Sequence, residues 1–237
     1  MSCRNALIVL SVAAIPVGGW AADCRGLPTA ADLAAHLAAA PAHEGDAGGL
    51  FHGTLMWAAV VNRDGEICAA VTSTSDPTQV WPGSQAIAKS KAYTANAFSL
   101  DGLALSTAQL YTLTQPGHSL WSLGQSNLFD TDALAAPDAR ARRRIAAGLI
   151  FFGGGVALYE GGSVIGGLGI SGDTSCTDHE IAKRVRDLAA LNPPGGMLVD
   201  DISYSAPDGA SVFTHPLCPN TWRNGVFIGH EAPAVGY

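Results

Sequence analysis

Charge is scarce in this sequence and basic charge scarcer still: charged residues make up 14% of 237 positions, and 13 Lys and Arg face 20 Asp and Glu, a formal net charge of −7. Neutralising phosphates needs a basic face, so the balance argues against nucleic acid as a partner. The basic cluster Arg140, Arg142, Arg143 and Arg144 reads as a solvated helix face. Neither the apolar run "ALIVLSVAAIPV" nor any later segment is long enough to cross a bilayer. The phosphate-cradling pattern G-x-x-x-x-G-K is missing, and "GISGD" has Asp173 where a G-x-S-x-G nucleophile elbow needs glycine. C-x-x-C and H-x-x-x-H spacings, the usual marks of a zinc site, are missing too. No repeat or low-complexity linker divides the chain.

What is present is apolar content, 48% of the chain with a mean hydropathy of +0.20, enough for a sizeable core. Residues 1–22 have the parts of a secretory signal: Arg4, the apolar run, then Ala21 and Ala22 before a cut near Asp23. The expected organisation is therefore a signal at 1–22 and one domain over 23–237, periplasmic or secreted. Removing Cys3 with the signal leaves Cys24, Cys68, Cys176 and Cys218, an even number that favours disulfides in an oxidising compartment. Their pairing is open at this point.

Along the chain, "LPTAADLAAHLAAAP" reads as a short helix with a capping box, Thr29 and Asp32, and an apolar face of Leu33 and Leu37. "TLMWAAVV", "NRDGE" and "ICAAVTST" form a hairpin signal turning at Asp64-Gly65. A helix follows from a Ser84 cap, carrying Ile87, Ala88, Lys91, Ala92, Ala95 and Phe98 at helical spacing, and a further helix is expected from Ser106 to Pro116-Gly117. Residues 118–138 read as a loop displaying Trp121 and Phe129. A second hairpin, "LIFFGGGVALY" and "SVIGGLGI", precedes a helix over about Ser175–Leu191, a last strand-like piece "MLVDDISYS", and a turn-rich tail. That order predicts an α+β fold, an antiparallel sheet flanked by helices.

The glycines of "GGGVALYEGGSVIGGLGISGD" weaken strand interiors unless they serve close approach. Gly167, Gly169 and Gly172 spell G-x-G-x-x-G, but the preceding strand belongs to a hairpin and no βαβ units follow, so glycines that let a helix pack close on a sheet are the better reading. The amides opening the helix after Ser171 suit an anion, or Asp173 and Thr174 cap it. Cys176, His179 and Glu180 share that helix and read as a surface face rather than a metal site.

The residues "WAAVVNRDGEICAA", "AIAKSKAYTA", "FGGGVALYEGGSVIGGLGISGD" and "DHEIAKRV", in that order, resemble the GlcG/HbpS family, whose domain also forms the C-terminal part of PduO-type proteins. The chain extends beyond the usual family domain at its N-terminal segment and in the tail holding "THPLC". The resemblance implies a profilin-like α+β domain that assembles as a homo-oligomer, and binding of haem or another tetrapyrrole rather than a known reaction.

The residues expected to contact such a ligand are Gly153, Gly154 and Gly155 at the bend, Ser171 and Gly172 at the helix start, and Lys91 on the long helix. His52 and His118, which flank loops, are the axial candidates. No catalytic residue or resident metal is assigned. Two other readings stand beside this one. Lys91 and the helix start would clamp a small carboxylate such as a 2-hydroxy acid in an enzyme or accessory protein. In a non-catalytic oligomeric module, the glycine-rich hairpin would be an interface.

Overall fold

The computed structural model describes residues 23–134, 144–145 and 147–232, so the signal at 1–22 and Arg140, Arg142 and Arg143 lie outside the described residues. The first helix, α1 (Ala30–Ala39), starts where Thr29 accepts the Asp32 amide while the Asp32 carboxylate accepts that of Thr29. It buries Leu33 and Leu37, and its run of alanines costs little side-chain entropy.

Strands β1 (Trp57–Asn62) and β2 (Ile67–Thr72) form the expected hairpin, and Gly65 takes the φ of +85° that its turn requires. Helix α2 spans Pro82–Phe98. It begins two residues before the expected Ser84 cap because Pro82 occupies its first position, where the missing N–H has no intrahelical partner to lose. A four-residue α3 (Leu123–Ser126) interrupts the long loop. The second hairpin is β3 (Gly155–Glu160) with β4 (Ser163–Ser171), and α4 covers Ser175–Leu188. The sheet runs β2-β1-β4-β3 with every pairing antiparallel.

Alternate residues of these strands serve opposite faces. Ala58, Val60, Val156, Leu158, Leu168 and Ile170 join Leu33, Leu37, Ile181, Ala182 and Val185 from α1 and α4 in the main core. Trp57 and Ala59 pack with Ala88, and Val61 with Ala92, on the α2 side. Both faces are covered, which is why "WAAVV" is continuously apolar. Gly167 and Gly169 face α2: a Cβ there would strike the Ala92 and Ala88 carbonyl oxygens. The glycines allow backbone-to-backbone packing of helix on sheet, as the bland reading of G-x-G-x-x-G expected.

Three expectations are corrected. Residues 107–111 form turns, followed by a short 3-10 helix at Thr112–Thr114, instead of an α-helix from Ser106. Their polar groups serve the neighbouring chain: the Thr107 amide donates to Gly155 O, and its hydroxyl accepts from the Gly155 amide while donating to Phe152 O. "MLVDDISYS" is turn and coil as far as Tyr204, which makes an isolated bridge to His215, and the Asp200 and Asp201 side chains bind Arg186 and Lys183. A short α5 (Ser205–Asp208) follows. The turn-rich tail contains a further hairpin, β5 (Thr221–Arg223) and β6 (Val226–Gly229), turning at Asn224-Gly225 with φ of +53° and +72°.

The third correction concerns α4, which is buried from Cys176 through Arg186 rather than lying on the surface. Its apolar side joins the core, while residues 197–224 cover Lys183 and Arg186 and residues 40–46 cover Arg184. Arg186 donates to both oxygens of Asp200 at 2.6 and 2.8 Å, and Lys183 to Glu180, Asp201 and Asn224 at 2.6–2.7 Å. Arg184 donates to the carbonyls of Gly45 and Asp46. Buried charges are tolerable because each has a partner of this kind.

The cysteines pair as Cys24–Cys68, tying the segment before α1 to β2, and Cys176–Cys218, tying α4 to the tail. Loops of this length, with cysteines 44 and 42 positions apart, gain roughly 4 kcal/mol each in the chain-entropy picture.

Candidate functional site

The glycine bend follows Phe151 and Phe152, and those two rings, with Tyr111 and Trp121, wall a cleft of about 310 Å³. Thr114, Gln115, Gly124 and Gln125 complete its lining. Tyr111, Thr114 and Gln115 reach it because the 106–115 segment is tied to Phe152 and Gly155 through Thr107. Trp121 is half exposed at the rim and Phe151 almost buried. A recess that combines four aromatic rings with a few polar side chains suits a planar conjugated ligand.

Behind Phe152 lies a buried ion pair that joins the two helical layers. The Lys91 ammonium sits 4.8 Å from the Phe152 ring centre and donates to Asp178 at 2.7 Å and to Ile170 O at 3.0 Å. Burial pushes Asp178 up to about 6 against the pull of Lys91, and burial likewise lowers Lys91. Behind Tyr111 stands His215, ring centres 4.8 Å apart. Its Nδ1 donates to Pro216 O at 2.7 Å, and burial lowers its pKa to about 4, so the ring is neutral at neutral pH.

The sequence-singled residues divide between the cleft and the interior. Gly153, Gly154 and Gly155 adjoin the cleft through Phe152, but their polar groups are engaged. The Gly153 amide faces His215 Nε2 at 3.4 Å, Gly154 O accepts the Ile170 amide at 2.7 Å, and the Gly155 amide donates to Thr107. Lys91 stands behind the cleft and is fully buried. His118 is exposed on the loop joining two lining residues, its amide donating to Gln115 O and its carbonyl accepting from Trp121.

Ser171 ends β4 inside the protein, and Gly172 presses against the Leu55–Met56 backbone. The α4 start is occupied as well. Thr174 accepts from the Thr177 amide, the Cys176 amide donates to Cys218 Sγ, and the Asp173 carboxylate accepts from Leu50, Phe51, Gly53 and Thr174. Lys91, Ser171 and Gly172 thus make their described contacts inside the fold, and none of them is among the residues lining the cleft. His52 is elsewhere, exposed beside an open hollow with Pro41, Gly45 and Thr54, its Nδ1 2.9 Å from Asp46. That carboxylate raises the His52 pKa.

Sequence reasoning missed Tyr111, Phe151, Phe152 and His215. The available signal is the Phe-Phe pair immediately before the glycine run, which reads as part of a strand although β3 begins only at Gly155. Trp121 reads from the sequence only as an exposed-looking aromatic in a loop.

The model of the family described as "Haem degrading protein HbpS-like" matches residues 29–187. Among solved structures, Klebsiella pneumoniae protein ORFY, assigned to DUF336, shares 24% identity over 69% of this chain and 90% of its own, with a TM-score of 0.47. A PduOC:heme complex shares 23% over 68% and 94%, TM-score 0.47. A double mutant of Streptomyces reticuli HbpS shares 18% over 78% and 98%, TM-score 0.42. No curated protein matches the sequence.

Proposed function

The chain belongs to the HbpS-like family, and on that premise we propose that it is an exported protein binding haem or a related tetrapyrrole in the cleft walled by Tyr111, Trp121, Phe151 and Phe152. The observation that carries the reading is this set of four aromatic rings beside the glycine bend, in a chain whose family description names haem. The fit is to the flat apolar body of the ligand. Tyr111 in the lining, or His118 on the adjoining loop, would supply the iron ligand; phenolate and imidazole both serve haem iron in proteins. Bound haem would bring iron redox chemistry; the protein's residues here bind, orient and shield it. The described lining holds no basic side chain for the propionates, so in this reading they face solvent.

Export draws support from the signal-like residues 1–22 and the two disulfides. A domain over 23–237 that sequesters or senses its ligand as a homo-oligomer completes the reading. The small-carboxylate alternative has less support, because Lys91 and the α4 amides already serve Asp178, Thr174 and Cys218.

Titration of the mature protein with haemin tests the proposal. A saturable Soret shift with quenching of tryptophan emission is expected. Trp121→Ala should weaken binding about tenfold, the equivalent of ~1.4 kcal/mol. Tyr111→Phe and His118→Ala separately test the iron ligand, one of which should alter the Soret position. No shift, or unchanged affinity in a Trp121→Ala, Phe151→Ala double variant, would refute the cleft as the site.

A further inference from the structure

Residues beyond 187 lie outside the family match, yet they return to α4 and bond covalently to its first turn through Cys176–Cys218. Around that bridge the donor atoms converge. One sulfur from each cysteine and a ring nitrogen of His215 all lie within 4.8 Å of one another, and all three residues are buried. Ser175 Oγ stands 3.4 Å from both His215 Nε2 and Cys218 Sγ.

The imidazole is already set for ligation. Its Nδ1 donates to Pro216 O at 2.7 Å, leaving the Nε2 lone pair turned towards this group, where its partners are the Gly153 amide and the Ser175 hydroxyl, both at 3.4 Å. A backbone carbonyl fixing the far nitrogen is the arrangement that orients metal-bound histidines. Cys176 occupies the first turn of α4, a helix of 14 residues, where the helix dipole favours a thiolate.

We propose that the reduced form of Cys176, Cys218 and His215 is a binding site for a thiophilic divalent cation of the zinc(II) type, which disulfide formation closes and a dithiol reductant opens. Two thiolates and a neutral imidazole form a three-ligand set with a fourth position for water or Ser175, a donor set that zinc accepts. The chemistry balances. The protein S–S bond breaks as an S–S bond forms in the reductant, two electrons pass to the cysteine sulfurs, and two protons follow from the reductant's thiols. Coordination of the cation then releases those two protons to solvent. Oxidation reverses the sequence and expels the cation, because a disulfide offers no thiolate. Of the two cysteines Cys218 is the less deeply buried, 6% exposed against 0% for Cys176.

The test uses the mature full chain, reduced with a dithiol, freed of reductant without air, and titrated with Co²⁺ as a spectroscopic probe. One equivalent should bind, giving thiolate-to-cobalt charge-transfer absorption that Zn²⁺ abolishes. The oxidised chain and Cys218→Ser should show none, His215→Ala should bind at least tenfold more weakly, and a Cys24→Ser, Cys68→Ser double variant should behave as wild type. A reduced chain that binds no Co²⁺, whether folded or unfolded, overturns the proposal. So does a band that persists at full strength in His215→Ala or vanishes with Cys24 and Cys68. None of these readouts involves haem, so the outcome is independent of the function proposed above.

Discussion

His179 is completely buried, and neither ring nitrogen has a hydrogen-bond partner. Its Nε2 lies 3.7 Å from Asp201, but burial dominates and lowers its pKa from 6.5 to about 3, with Lys183 and Arg186 adding to the shift. A base whose pKa is lower in the folded state leaves stability untouched above its unfolded value and subtracts from it as the pH falls from 6.5 towards 3. Between pH 7.5 and 4.5 the unfolded chain takes up a proton that the folded one refuses, a loss of about 3 kcal/mol by linkage.

Asp178 works in the opposite direction, since its carboxyl, raised from 3.8 to about 6, gains stability over the same interval. The clean measurement is therefore a difference of differences. Urea unfolding of wild type and His179→Gln at pH 7.5 and 4.5 leaves Asp178 common to both. Wild type should lose about 3 kcal/mol more than the variant across the interval. Equal losses would refute the assignment of a buried, neutral His179.

Gly169→Ala should lower stability by about 1–3 kcal/mol, read as a fall in Tm, because its methyl meets the Ala88 carbonyl on α2. A neutral result would mean that the helix–sheet separation is not set by these glycines. Lys91→Met leaves the Asp178 carboxylate buried without its cation and should cost about 3–5 kcal/mol, whereas Lys91→Met with Asp178→Asn should recover part of that loss. Urea unfolding of the two variants checks both statements, and equal stabilities would show that the pair is not coupled.

Much of the architecture was legible because the signals were local. The capping box at Thr29 and Asp32, the Asp64-Gly65 turn and the glycine-rich hairpin each act within a few residues, through backbone geometry and short hydrogen bonds. The site was legible only in part. The 153–155 bend and His118 adjoin the cleft, but its walls come from segments tens of positions apart, and Tyr111 points inward because Thr107 anchors its segment to β3.

The sequence by itself determined the α+β order, the two hairpins, the α1 capping box and the four cysteines beyond residue 22, since periodicity, turn chemistry and counting suffice for those. Tertiary structure decided which cysteines pair, and it turned a charged helix into a buried one. The reason is electrostatic: Arg186 and Lys183 on α4 can leave water only because Asp200, Asp201 and Asn224 fold back over them. No local pattern announces counter-charges supplied from 14 and 18 residues away, or an amide from 41.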